Sequence, residues 1–299
     1  MALQRGDALI ATAPPAARWL LIESANAWPR QALGALESAP EEPAVSSEVA
    51  RRCGELGYRP VLIRRHGRVT RAAVRRYALV DCRPGHESVR WGELPTDAYL
   101  LNVLEAVANN SLNALPDLQP PTQEPIYLVC THGRHDACCA VRGRPVAAAL
   151  AGAYPDRTWE CSHIGGDRFA GNVVVLPHAL FYGQVPPSRA VEVAKHHAEG
   201  RVVPDLLRGS GIYPPAVQAA QHYARLAGHS DSLNTLRPTQ VQQLANQHYK
   251  VTLTTTPATA VVIEVSVHFD SVDARLTCAG KAPVQVRRFE LHGIESMGG

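Results

Sequence analysis

Two stretches of this chain carry the same order of elements, one on each side of a proline-rich segment. In the first, Arg18–Glu23 (RWLLIE) is a short apolar run that reads as a buried strand. Ser46 or Ser47 can cap a helix that runs to about Leu56 and stops at Gly57. Residues 60–65, 76–81 and 88–94 add three strand signals. Thr96 can then cap a helix from Asp97 to about Ala108, with Leu100, Leu101, Leu104 and Val107 on one face. Residues 115–125 (LPDLQPPTQEP) hold four prolines and read as a linker. Beyond it come a strand over 126–129, an Ala-rich helix over 144–153, and strands over 158–161, 172–176 and 180–184. Ser188 caps a helix from Arg189 to about Glu199, ended by Gly200. Both halves read β-α-β-β-β-α, which predicts a degenerate duplication. A β-α-β unit followed by a hairpin and a helix fits a thioredoxin-like layer.

The last third follows another pattern. Residues 214–227 and 238–246 predict two amphipathic helices, and 249–255, 261–269, 274–278 and 284–291 predict antiparallel strands with one wet face. The expected class is thus α/β and α+β. Two tandem modules, 1–118 and 119–204, precede a small helix-plus-sheet region, 205–299.

Composition supports a folded chain. Its 299 residues leave room for two or three domains, and 45% apolar with 19% charged residues exclude wholesale disorder. With four Phe, two Met and four Trp, the core must come mainly from Ala, Val and Leu. No apolar run approaches the ~20 residues needed to cross a bilayer, so a soluble cytoplasmic protein without membrane contact is expected. Seven cysteines, odd in number and unevenly spaced, speak against a secreted disulfide framework and for metal, redox chemistry or core thiols.

The net charge is +3, yet residues 51–90 hold eleven Arg against Glu55, Asp81 and Glu87. Arg59, Arg64, Arg65, Arg68, Arg71, Arg75 and Arg76 form either a solvated hairpin or a docking face for an acidic redox partner. No binding motif accompanies the run, so nucleic acid is not an expected partner.

The densest group of ligand-type residues lies between 130 and 167. It contains Cys130, His132, His135, Asp136, Cys138 and Cys139, then Cys161, His163 and Asp167. Cys130 follows the first strand of the second module, and Cys161 and His163 close the next strand. In a parallel β-α-β unit those strand ends are neighbours, so the groups can converge. Thiolates and imidazoles favour zinc or iron–sulfur over magnesium or calcium. Zinc knuckles use gaps of about two to four residues. Eight residues separate Cys130 from Cys139, and a loop of that size can wrap a bulkier cluster.

The stretches CTHGRHDACCAVRGRPVAAAL and WECSHIGGDRFAGNVVVLP, with the opening ATAPPAARWLLIE, resemble the sucrase/ferredoxin-like family, related to the thioredoxin-like ferredoxins. The likeness covers at least residues 11–185. It implies a [2Fe–2S] cluster held, as in fungal relatives, by two Cys with the spacing of Cys130 and Cys139 and by two His in an H-x-G-G-H motif. The first of these His corresponds to His163; the second position is Asp167 here. A carboxylate is a rare anchor for such a cluster. Asp167 can ligate weakly, Cys161 or Cys138 can replace it, or the cluster is labile or absent.

Each residue also has a plainer reading. Cys161 shares strand parity with Trp159 and can be a core thiol, and Cys138 beside Cys139 reads as a bystander. Cys53, Cys82 and Cys278 read as core cysteines. His132 and His135 read as loop residues or donors to the cluster sulfurs. Gly165 and Gly166 form a turn or let backbone amides approach sulfide. Arg168 and Asn172 read as surface or turn residues, and His196 and His197 as a solvated helix end.

The expected function is one-electron transfer through a [2Fe–2S] cluster bound by Cys130, Cys139, His163 and Asp167, in a carrier more than a catalyst. The first module ends its leading strand in Ser24-Ala25-Asn26, without a Cys/His pair, and reads as a structural or docking module. No G-x-G-x-x-G occurs, so a separate reductase is expected to supply electrons. One alternative is a thiol enzyme whose nucleophile is Cys130 or Cys139, activated by the helix N-terminus or by His132. Another is structural zinc on the same groups. No carboxylate pair stands out for a glycosidase.

Overall fold

The computed structural model describes residues 6–36, 45–67, 74–256, 259–278 and 280–297. Arg68 and Arg71 therefore lie outside the described residues. The first stretch forms β1 (Arg18–Glu23), α1 (Val45–Glu55), β2 (Arg59–Arg64), β3 (Arg75–Asp81), β4 (Ser88–Leu94) and α2 (Tyr99–Ala108). The second forms β5 (Ile126–Cys130), α3 (Ala137–Ala153), β6 (Thr158–Cys161), β7 (Val173–Leu176), β8 (Leu180–Tyr182) and α4 (Ala190–Ala198). They are followed by β9 (Leu207–Ser210), α5 (Pro215–Leu226), β10 (Arg237–Ala245), β11 (His248–Thr256), β12 (Thr259–Val272) and β13 (Val284–Met297).

Nine strands make one mixed sheet in the order β4-β3-β1-β2-β6-β5-β7-β8-β9. In each half the first strand pairs parallel with the second and antiparallel with the third, and the third pairs antiparallel with the fourth. The two halves meet along β2 and β6, which run antiparallel through Ile63↔Cys161 and Arg64↔Glu160. The repeated element order thus reappears as repeated strand pairing.

The apolar runs of β1 and β5 are buried on both faces, which is why they do not alternate with polar residues. Leu20 and Ile22 face α1 and α2 with Val49, Leu100 and Leu104. Tyr127 and Val129 face α3 and α4 with Val146, Leu150 and Val193. The opposite face gathers Trp19, Leu21, Val61, Leu128, Trp159 and Phe181 with Cys130, Cys139 and Cys161. A separate sheet, β10-β11-β12-β13, packs Val251, Leu253, Val261 and Ile263 against Val217 and Ala220 of α5.

Several elements differ from the sequence reading. Helix α3 starts at Ala137, seven residues before the expected Arg144. Pro145 suggests a first helical turn, but Asp136 is the cap, accepting the Cys138 N–H at 2.8 Å. Pro145 withholds its hydrogen bond from the carbonyl of Val141, an exposed residue that water can reach. Ser46 and Ser47 lie inside α1, not ahead of it, because the helix is already formed at Val45. Ala98 occupies the α2 cap position expected for Thr96, whose carbonyl instead accepts the Tyr99 N–H. Ser188 lies within a 3₁₀ turn that leads into α4.

Residues 238–246 are not a helix but most of strand β10. Nine residues of ordinary helical propensity make a marginal helix, whereas the open edge of β11 offers a row of backbone partners. Residues 274–278 form bends, not a strand, and Cys278 is exposed instead of buried. His197 is likewise buried, its Nε2 lying 3.0 Å from Nδ1 of His178. Among the described residues no helix is long and apolar enough to cross a membrane.

The described arginines of the basic stretch have internal contacts. Arg64 pairs with Glu160, Arg75 with Asp97, and Arg65 donates to the carbonyls of Pro155, Asp156 and Thr158. Arg59, Arg65 and Arg76 also cover the rings of Trp19, Trp159 and Trp91.

Candidate metal centre

Strand β5 delivers Cys130 at its last position, opposite Cys161 of the parallel neighbour β6. Helix α3 begins seven residues later and brings Cys139 back over the strand end. Gly143 permits this approach, since a methyl group there would overlap the Cys130 carbonyl oxygen. His163 follows β6 by two residues and completes the convergence. Its Nδ1 lies 4.0 Å from the Cys130 sulfur and 3.9 Å from that of Cys139, and all three ligand atoms fall within 4.8 Å of one another. Both cysteines are buried; His163 is half-buried.

A second group shares His163. His135, His163 and Asp167 also have ligand atoms within 4.8 Å of one another. The His135 and His163 rings stack, and His135 Nε2 is 4.0 Å from the Asp167 carboxylate. Asp167 therefore reaches the centre from its outer side, accompanied by His135. Sequence reading treated His135 as a loop residue or sulfur donor; only the fold places it against His163.

Electrostatics divide the two thiols. The hydrogen bond from Cys139 and the nearby His163 pull the Cys130 thiol well below its ordinary range against the effect of burial. The same contact, with burial, drives Cys139 upwards. Burial pushes the Cys161 thiol far up; its sulfur joins none of the converging groups and lies in the core beside Trp159. Cys138 points elsewhere, to Cys278, 3.2 Å away.

His132 positions the centre without joining it. Its Nε2 lies 2.7 Å from the carbonyl of Pro29, and its Nδ1 accepts the backbone N–H of His163 at 3.3 Å. Those partners require the proton on Nε2 and a neutral ring. Burial lowers the His132 pKa in the same sense.

The Gly165-Gly166 turn is held from the far side by Arg208. This fully buried guanidinium donates to the Gly165 carbonyl at 2.9 Å and to Asn172 Oδ1 at 2.8 Å. Burial pushes its pKa down to about 9, with Arg168 and Arg59 acting in the same direction. Gly166 has φ +81°, and any side chain there would strike Arg208. Asn172 also donates to the Gly166 carbonyl, so it is a buried brace, not a surface residue. No motif marks Arg208; its only signal is a charge directly after the apolar pair Leu206-Leu207.

A family model described as sucrase/ferredoxin-like matches residues 9–209. The chain belongs to the sucrase/ferredoxin-like family. The matched span of this sucrase/ferredoxin-like protein runs from before β1 to the penultimate residue of β9. It includes Cys130, His135, Cys139, His163, Asp167 and Arg208, and it leaves the C-terminal sheet outside. No curated protein and no solved structure matches the chain.

Proposed function

We propose that this protein is a one-electron carrier binding a [2Fe–2S] cluster in a thioredoxin-like unit, residues 119–204, with residues 1–118 as its degenerate structural partner. The convergence of the Cys130 and Cys139 sulfurs on His163 Nδ1 carries this reading. Two sulfurs and an imidazole are donors suited to iron–sulfur or zinc. Cys130 and Cys139 would hold one iron, and His163 with Asp167 the other. When bound, the cluster supplies a centre that takes up and releases a single electron.

The surrounding residues tune and expose that centre. Arg59, largely buried against Trp19, places positive charge near Cys130 and Cys161 and so favours the more negative, reduced state. Cys130 and Cys139 form the buried side. His163 and His135 line a surface cavity of about 510 Å³ together with Arg30, Leu33 and Ser46 of the first unit. The imidazole side is thus where a bound cluster would lie nearest to the surface. An acidic redox protein that meets the arginine-rich segment 51–90 is the partner this reading expects.

Freshly purified protein tests the proposal by its visible spectrum, with iron and sulfide content measured on the same sample. Visible bands with bound iron and sulfide are the expected result. A colourless protein carrying zinc would replace the proposal with a structural zinc site. A colourless protein without metal would replace it with thiol chemistry at Cys130 and Cys139.

A further inference from the structure

Outside the centre, the structure brings together two cysteines from distant parts of the chain. Cys138 lies in the first turn of α3, and Cys278 lies in the connection between β12 and β13. Their sulfurs are 3.2 Å apart. Asp136 fixes both backbones independently of the sulfurs: Oδ1 accepts the Cys138 N–H at 2.8 Å and Oδ2 accepts the Cys278 N–H at 2.7 Å. Cys278 is exposed and Cys138 half-buried, so small oxidants can reach them.

We propose that Cys138 and Cys278 form a reversible redox clamp, a disulfide that ties the C-terminal sheet to the N-terminus of α3. Closing the sulfurs to the bonded distance of about 2.05 Å needs a movement of roughly 1 Å, within the reach of side-chain rotation. Asp136, Cys138 and Cys278 could also be read as metal ligands. Two sulfurs on one tetrahedral zinc, each about 2.3 Å from the ion, stand roughly 3.7 Å apart, farther than these. Both Asp136 oxygens, moreover, already accept backbone N–H groups. The geometry favours a sulfur–sulfur bond.

Hydrogen peroxide is the oxidant class that fits an exposed first thiol and a shielded second. The Cys278 sulfur attacks one peroxide oxygen; an S–O bond forms, the O–O bond breaks and water leaves. The Cys138 sulfur then displaces the oxygen from Cys278 as a second water, forming the S–S bond. Two thiols and one hydrogen peroxide thus give one disulfide and two waters. A dithiol reductant reverses the change by exchange.

The clamp has a specific place to act. Its residues line a cavity of about 320 Å³ with Arg142, Asp167, Arg168 and Thr277. Asp167 is the outer carboxylate of the metal centre, and Cys139 is the residue after Cys138. Oxidation would fix the 275–278 segment across that approach.

Full-length protein treated with stoichiometric hydrogen peroxide, then alkylated and digested with trypsin without reduction, tests the clamp. The expected product is a cross-link between peptides 135–142 and 276–281, with fragmentation placing it at Cys138. Its mass should be lower than that of the two reduced peptides by two hydrogens, and a dithiol should release it. Cys138→Ser and Cys278→Ser should each remove it, whereas Cys53→Ala should retain it. Alkylation of both cysteines after oxidation would overturn the proposal. So would a link of Cys278 to Cys139, a bond confined to Cys138 and Cys139, or zinc retained by the wild type and lost in Cys278→Ser. The Cys138–Cys278 cross-link uses neither of the proposed cysteine ligands, so its formation and its failure are read separately from whether a cluster is bound.

Discussion

The rings of His135 and His163 lie face to face, with centroids 3.7 Å apart and planes 15° from parallel. This stack joins the groups on the Cys130 side of the centre to those on the Asp167 side. On the proposed cluster, it would also make His135 the competitor of Asp167 for the fourth ligand position.

Iron content of single variants distinguishes the ligands. Cys130→Ser and Cys139→Ser should each abolish bound iron, while Cys53→Ala, on the buried face of α1 in a different core cluster, should keep it. Asp167→Ala should lose most of the iron and His135→Ala should retain it. The reverse pattern would assign the fourth position to His135. Asp167→His should slow bleaching in air by supplying a softer ligand.

The charge of the ligand set should govern the potential. His163 Nδ1 lies 4.0 Å from the Cys130 sulfur and 3.9 Å from that of Cys139. On the proposed cluster, His163→Cys would exchange a neutral ligand for a negative thiolate, and the potential read by voltammetry should fall. A potential unchanged by that substitution would exclude His163 as a ligand.

Acid should destabilise the fold through a different pair of histidines. Burial lowers the His197 pKa to about 4, and His178 beside it is lowered too. The unfolded chain therefore binds protons that the folded chain refuses, so stability is full above about pH 6.5 and falls as the pH drops towards 4. At about 1.4 kcal/mol for each pH unit between the two values, the loss from His197 reaches roughly 3 kcal/mol. Urea melts at pH 7 and pH 4.5 should show the drop, and His197→Gln should reduce it.

Gly143→Ala tests how closely α3 must approach β5. In an exposed helix the change stabilises by up to ~1 kcal/mol. Here the added methyl meets the Cys130 carbonyl, so a net loss of about 1–3 kcal/mol is expected. Denaturant midpoints would show the sign, and iron occupancy should fall with the displaced Cys139.

Local patterns made eight strands of the large sheet legible, while β9, four residues in the stretch assigned to the C-terminal region, was not read as a strand. The apolar runs at β1 and β5 and the stop at Gly57 each report their own neighbourhood. The convergence of Cys130 and His163 was readable for a related reason, since both lie at the ends of adjacent parallel strands, whereas the choice of Cys130, Cys139 and His163 as a set came from the family resemblance. What escaped depends on contacts made across the fold. Strand β10 looks helical until the edge of β11 is available to it. Pro145 imitates a helix start because the Asp136 cap lies nine residues earlier. Arg208 meets the glycine turn from beyond α4, and Cys278 meets Cys138 across 140 residues. His197 looked solvated because its partner, His178, arrives from the turn between β7 and β8.

The bond between His132 and the Pro29 carbonyl gives the first unit, which supplies none of the proposed ligands, a task at the centre. It fixes which nitrogen of His132 carries the proton, and through the other nitrogen it fixes the backbone of His163. A chain shortened to start at residue 119 would keep every proposed ligand and lose that instruction. The half of the large sheet that supplies no proposed ligand thus braces the half that does, and a fragment meant to hold the centre should include both.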